Sequence, residues 1–312
     1  MTTALLTHLD CLDHRPAPGH PECPERLQAV MTALADPQFD GLYRVTAPLA
    51  DLADLHRAHP QAYLDQLQAA VPAQGLAYLD PDTALSPGSL QAALRAVGAA
   101  VHAVDLVMAG QVKNAFCATR PPGHHAETAT AMGFCLLGTV AIAALHALDH
   151  HGLARVAIMD FDVHHGNGTQ DLLWNEPRVL FASTHQRPLF PGSGAADERG
   201  AHGSNILNVP LAAGTDGAGF RAVMDHQILP ALDAFAPQLV LVSAGFDAHR
   251  DDPLAGLGLG AEDFAWATAR LCDLADTHAG GRLVSTLEGG YDLEALRACV
   301  AAHVAVLMER SE

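Results

Sequence analysis

Five short apolar runs, each giving out into a polar cluster, constrain this chain more than any other feature. They lie at 114–119 (NAFCAT), 154–161 (ARVAIMDF), 178–184 (RVLFAST), 238–244 (QLVLVSA) and 282–287 (RLVSTL). Ala/Leu-rich stretches of helical length occupy 89–110, 133–150, 217–236, 262–279 and 292–309. Near-continuous apolar strands are what burial on both sides demands, and their alternation with helices reads as an α/β fold: a mainly parallel sheet with helices on both faces. No repeat or linker divides the 312 residues, so a single domain over 1–312 is expected. Ligands of open parallel sheets sit beyond the carboxyl ends of the strands. Each run here leads into chemistry there: Arg120-Pro-Pro-Gly-His124-His125, then Asp160 to His165, then His185 with Phe190-Pro-Gly-Ser-Gly, then Gly245-Phe-Asp247, and last Glu288-Gly-Gly-Tyr291.

The second cluster (VAIMDFDVHH, 156–165) is the sharpest, because Asp160, Asp162 and His164 stand at alternate positions. Side chains alternate along a strand, so all three point one way. A catalytic metal takes three protein ligands and keeps one position open. Asp162 and His164 offer two ligands and Asp247, closing another buried strand, the third; Asp160 is left to support a histidine. One Asp at a strand end is more often a helix cap or a turn, but adjacent histidines on a neighbouring strand reverse that judgement for the group. His124 and His125 follow a rigid Pro-Pro-Gly turn and can divide the work, one as general base and one as charge-stabilising acid. Tyr291 follows two glycines that let its loop approach closely, and its phenol can donate to a developing oxyanion.

Composition narrows the partners. With 17 Lys+Arg against 35 Asp+Glu the formal charge is -18, which argues against nucleic acid and would attract cationic substrates. The six cysteines show no CxxC pair, so neither a structural zinc nor a disulfide framework is indicated and a reducing cytoplasm is expected. No signal peptide is read. The uncharged stretch Ala131–Leu148 contains Gly138, Thr139 and His146 and reads as a buried helix, with no membrane partner. Gly256-Leu-Gly-Leu-Gly260 lacks the strand-to-helix context of a dinucleotide site, and Gly192-Ser193-Gly194 is not a nucleophile elbow. His56 and His59 read as structural, Cys135 as a buried thiol, and His150-His151 as complements to a helix dipole.

Taken together, RPPGHHA, GFC, DFDVHHGNGT, FPGSG, AGFDAHRDDPLAG and EGGY resemble the class II side of the zinc-dependent histone deacetylase family, which includes bacterial deacetylases and acetylpolyamine amidohydrolases. The likeness runs from His14–Arg26 to Tyr291. It implies an arginase/deacetylase-like α/β fold and hydrolysis of an N-acyl amine at Zn2+, held by Asp162, His164 and Asp247; the same donors accept Fe2+. By motif, His125 is the general base and acid, His124 its electrostatic partner, and Tyr291 polarises the acyl carbonyl; Asp160 holds His124 and Asn167 holds His125. Phe134 and Phe190 match the walls of an acyl-lysine tunnel, and Arg26 an arginine near the acetate exit. A structural K+ is implied at the main-chain oxygens of Asp160, Asp162 and His164, with Ser183 and Thr184. Polyamine-selective relatives place a glutamate where this chain has Leu254, and the segment Val71–Gly88 is short for a polyamine loop, although Asp80 and Asp82 remain to face an ammonium. The expected partners are therefore acetylated lysines of proteins or peptides, with acetylated polyamines second and homo-oligomerisation open. A two-metal ureohydrolase of the same fold would need further aspartates where Val163 and Ala248 stand. A non-catalytic scaffold would be expected to lack the histidine pair or the tyrosine.

Overall fold

The five apolar runs become five contiguous inner strands of one eight-stranded sheet. The structure, a computed structural model, describes residues 1–311. Its strands are β1 Thr3–Thr7, β2 Tyr43–Thr46, β3 Ala77–Tyr78, β4 Ala84–Leu85, β5 Asn114–Cys117, β6 Val156–Asp160, β7 Val179–Gln186, β8 Ile206–Leu211, β9 Leu239–Ala244 and β10 Leu283–Leu287. β3 and β4 form a small antiparallel pair; the other eight are parallel, in the order β2-β1-β5-β10-β9-β6-β7-β8. The helices are α1 Pro24–Ala33, α2 Leu52–Leu55, α3 Gln61–Ala70, α4 Ser89–Met108, α5 Thr139–Asp149, α6 Asn167–Leu173, α7 Gly217–Val223, α8 Leu229–Phe235, α9 Ala261–His278 and α10 Leu293–Glu309.

Period-2 geometry explains how near-continuous apolar strands serve two cores. On β6, Val156 and Ile158 join Val179, Phe181, Leu239 and Leu241 under α4 and α5. Ala157 and Met159 join Leu180, Ala182, Val240 and Val242 on the opposite face, under α1 and α7 to α10. Register then aligns the strand ends: Cys117 is paired with Thr286, Thr286 with Ser243, Ser243 with Asp160, and Asp160 with Ser183. The five polar clusters consequently share one rim.

Two expected helices are corrected. The stretch 133–150 is helical only from Thr139, because Gly133 and Phe134 adopt positive φ (54° and 67°) and the chain turns between Met132 and Cys135 before α5 begins. The first part of the uncharged stretch Ala131–Leu148 is therefore loop. The stretch 217–236 is split into α7, a π-helical turn at Met224–Ile228 and α8. That wide turn precedes Pro230, which has no N–H to serve a carbonyl four residues back.

Candidate metal centre and catalytic cluster

Asp162, His164 and Asp247 converge just past the ends of β6 and β9, all buried, each offering a ligand atom within 4.8 Å of the others. Backbone amides fix the carboxylates. The His164 N–H donates to Asp162 Oδ1, the Gly289 N–H to Asp162 Oδ2 and the Val163 N–H to Asp247 Oδ1, each at 2.8 Å. His164 Nδ1 lies 3.2 Å from Asp162 Oδ1 and 3.1 Å from Asp247 Oδ2. A Cβ on Gly289 would fall onto both carboxylates, so only glycine lets the β10 loop close over them. Two buried carboxylates so close call for a cation. Burial and the Asp162 charge raise Asp247 above the usual carboxylate range. Burial lowers His164, but the two carboxylates overcome it and push the imidazole up to about 10. A set of two hard oxygens and one imidazole nitrogen fits Zn2+ or Fe2+, and Asp162, His164 and Asp247 would hold it.

His124 and His125, on the loop after β5, lie beside this set with ring centroids 4.0 Å apart. His124 Nδ1 is 2.9 Å from Asp160 Oδ2, and His125 Nδ1 is 2.7 Å from Asn167 Oδ1. The Asn167 amide donates to Glu127 Oε1 at 2.8 Å, which turns its oxygen toward His125. His125 thus carries its proton on Nδ1 and presents the Nε2 lone pair. The environments push the pair apart. Burial, with the His124 and His164 charges, holds His125 well below the ordinary imidazole range. Burial also opposes charge on His124, but Asp162 and Asp160 outweigh it and raise that ring. Such a separation favours a neutral His125 beside a charged His124.

Two residues named in the sequence without this role, Glu288 at the head of the last polar cluster and Cys135 as a buried thiol, hold the pair in place. Buried Glu288 accepts the Gly123 N–H at 2.7 Å and the His124 N–H at 3.1 Å through Oε2. The His125 N–H donates to Cys135 Sγ at 3.4 Å, and burial raises that thiol well above its ordinary value, so Cys135 is a thiol acceptor. Glu288 had a signal, a charge immediately after an apolar strand; Cys135 is the buried thiol expected, but nothing in the sequence signalled its contact with the His125 amide.

Tyr291 follows Glu288-Gly-Gly at the end of β10. Its N–H donates to Asp252 Oδ2 (2.7 Å), and the Arg26 guanidinium carbon lies 4.8 Å from its ring centre. Arg26, fully buried on α1, donates through Nε to Gly290 O and through Nη2 to Glu288 O, both at 2.6 Å. Its Nη1 reaches Glu22 Oε1 at 3.2 Å, and Glu22 also takes Arg120 Nη2 at 2.6 Å. Burial works against the Glu22 charge, but Arg120 and His14 more than offset it and hold the carboxyl low. The loops after β5 and β10 are thus locked together by one buried ion cluster.

A cavity of about 220 Å3 descends to His125 and His164 between Phe134, Phe190, Leu189, Leu254 and Tyr291, with Asp82 at the wall. It is smaller than the pockets of drug-sized ligands, as suits a slender chain. The Phe134 backbone (φ 67°) is one that non-glycine residues rarely adopt. Its N–H is held by Thr83 Oγ1 at 3.1 Å, and its ring lies 5.9 Å from Tyr291. Asp80 is occupied in its own turn, accepting the Asp82 N–H at 2.9 Å. Of the residues assigned to K+, Asp160 is directly paired with Ser183 across β6 and β7, and Ser183 Oγ is 2.9 Å from His185 Nδ1. His59 is a packing residue, accepting the Gly138 N–H at 2.9 Å and facing Thr128 O at 3.1 Å. His150 and His151 do more than face a helix dipole: His151 Nε2 lies 2.8 Å from Asp105 Oδ1 on α4.

The family model for the histone deacetylase domain matches residues 20–307. A histone deacetylase-like amidohydrolase of Pseudomonas aeruginosa is 42% identical over 280 residues, 88% of this chain and 73% of that one. A probable deacetylase of Archaeoglobus fulgidus is 39% identical over 299 residues, 94% of this chain and 82% of its own. Among solved structures, the crystal structure of the HDA15 HD domain superposes with a TM-score of 0.94 at 35% identity, covering 99% of this chain and 89% of that one.

Proposed function

The chain belongs to the histone deacetylase family, and from that premise we propose that it is a zinc-dependent amidohydrolase that removes acetyl groups from lysine side chains of proteins or peptides. The observation that carries the reading is the small, largely apolar cavity that reaches His125 and His164, next to a buried Asp-His-Asp set and two histidines of opposite character. Phe134, Phe190 and Leu254 sheathe the four-carbon stem and leave the peptide outside. A bound Zn2+ supplies Lewis acidity toward the acyl oxygen and the attacking water. His125 Nε2 takes the water proton as the water oxygen bonds to the acyl carbon. Tyr291 donates to the oxygen that becomes negative, and the positive His124 ring adds its field. Collapse breaks the C–N bond, the proton passes from His125 to the leaving amine, and acetate and free lysine result. A K+ beside Asp160, Asp162, His164, Ser183 and Thr184, and residence in the cytoplasm, belong to the same proposal.

Asp82 at the cavity wall favours a second reading, in which the carboxylate meets the ammonium of an acetylated polyamine. Leu254 works against it, since the side chain at that position of the wall is apolar. Side-by-side turnover of an acetyl-lysine peptide and N-acetylputrescine by Zn2+-reconstituted protein, with a chelator control, separates the two. Chelator-sensitive activity much stronger on the peptide is expected. Preference for the polyamine would overturn the lysine reading, and silence on both would overturn deacetylation of either amine.

A further inference from the structure

Among the described residues one other group of metal-competent side chains converges: Asp105, His146, His150 and His151, whose ligand atoms all lie within 4.8 Å of one another. It sits where α5 leads into the amino end of β6, on the opposite rim of the sheet from the catalytic cluster. His146 and His150 are four residues apart on one helix face, their rings stacked at 4.8 Å and 13°. His151 folds back just past the helix end, its centroid 5.4 Å from His146 and 4.8 Å from His150. Asp105 on α4 meets them: its Oδ1 lies 2.8 Å from both His146 Nε2 and His151 Nε2. His146 is buried, whereas His150 is exposed and His151 and Asp105 are partly so, leaving the group open to an ion from solvent.

A second carboxylate stands behind the buried ring. His146 Nδ1 lies 3.3 Å from Asp54 Oδ1 on α2, without the alignment of a hydrogen bond and with no other partner. Arg57 Nε is 3.4 Å from the same oxygen. A neutral imidazole flanked by two carboxylates can give its single N–H to only one of them. If that proton faces Asp54, the Nε2 lone pair opposes Asp105, a repulsion that a cation between them removes. Carboxylate, imidazole and ion in line is the arrangement by which a metal-bound histidine is oriented.

We propose that Asp105, His146, His150 and His151 form a second metal site, for a borderline divalent transition ion such as Zn2+, that fastens α4 to α5 and takes no part in catalysis. Three imidazole nitrogens and one carboxylate oxygen fill a tetrahedral ion, the closed arrangement of structural sites. Metal-stripped protein is loaded with excess Zn2+, freed of unbound metal by gel filtration and assayed for zinc per chain and for melting temperature. The wild type is expected to hold two equivalents. The surface double variant His150→Ala/His151→Ala should hold one, lose part of the Zn2+-induced rise in Tm and keep its deacetylase turnover. A separate Asp162→Asn/Asp247→Asn variant should keep one equivalent, and adding the two histidine changes should remove it. This last pair tests the second site whatever the catalytic set binds. Retention of zinc after the histidine changes in that background overturns the proposal, as does a wild type whose bound zinc the histidine changes leave untouched.

Discussion

His125 shows how burial and neighbouring charges decide a protonation state. Burial and the His124 and His164 charges keep the ring neutral, and the Asn167 oxygen accepts its Nδ1 proton without the full charge of a carboxylate that would oppose them, leaving a free lone pair at Nε2. His125→Ala should lower kcat on an acetyl-lysine peptide by about 100-fold to 10,000-fold, the range of a lost general base, with zinc content unchanged. Turnover within a few-fold of wild type would remove His125 from proton transfer. Much of this was legible in the sequence, since Asp160, Asp162 and His164 stand at alternate positions and the His-His pair follows another apolar run, although only Asp160 lies on β6 and Asp162 and His164 stand just beyond its end. The supports were not. Glu288, Cys135 and Glu22 act through contacts between loops distant in the chain, and no local spacing encodes which carbonyl or amide a buried side chain will meet. The His146, His150 and His151 group escaped for the same reason, because Asp105 lies on a separate helix.

Elements differ in how openly they announce themselves. The five inner strands were readable because burial on both faces leaves an unbroken apolar run. The edges were not: β2 is YRVT with Tyr43 exposed, and β8 carries Asn208 and Pro210 within ILNVPL. Pro210 is tolerated there because β8 pairs on one side only. α1 was equally hidden, yet it carries Arg26, which grips the carbonyls of Glu288 and Gly290 and lies against Tyr291. Removing the shared carboxylate should therefore unsettle two elements at once. Glu22→Ala leaves Arg26 and Arg120 buried without their counter-charge and is expected to cost about 3–5 kcal/mol of stability, read as a drop in the denaturant midpoint. A change below about 1 kcal/mol would mean that water or a local shift replaces the carboxylate.

Across the whole molecule, stability should depend on pH through histidines buried in neutral form. His303 is fully buried between Phe116, Phe161 and Phe246. Thr268 Oγ1 donates to Phe264 O (2.6 Å), so it accepts from His303 Nδ1, also at 2.6 Å, and His303 Nε2 accepts from Ser285 at 2.9 Å. Burial holds this ring down to about 3. The unfolded chain gains a proton near pH 6.5 and the folded one does not, so the contribution is present at neutral pH and is lost as pH falls from 6.5 toward 3. Between about pH 7 and about pH 5 the loss amounts to about 2 kcal/mol. His303→Gln should therefore flatten the pH dependence of unfolding free energy by that amount, and an unchanged slope would contradict the assignment. At this scale the α/β architecture, its two covered faces and its rim of polar clusters followed from the chain's alternation of apolar runs and helices, whereas the order of the strands across the sheet needed the structure. Acetate release from an acetyl-lysine peptide, compared between Zn2+-reconstituted wild type and Tyr291→Phe, tests the central claim most directly. The account predicts a fall of about 100-fold or more with zinc content unchanged; near-normal acetate release by the variant would contradict it.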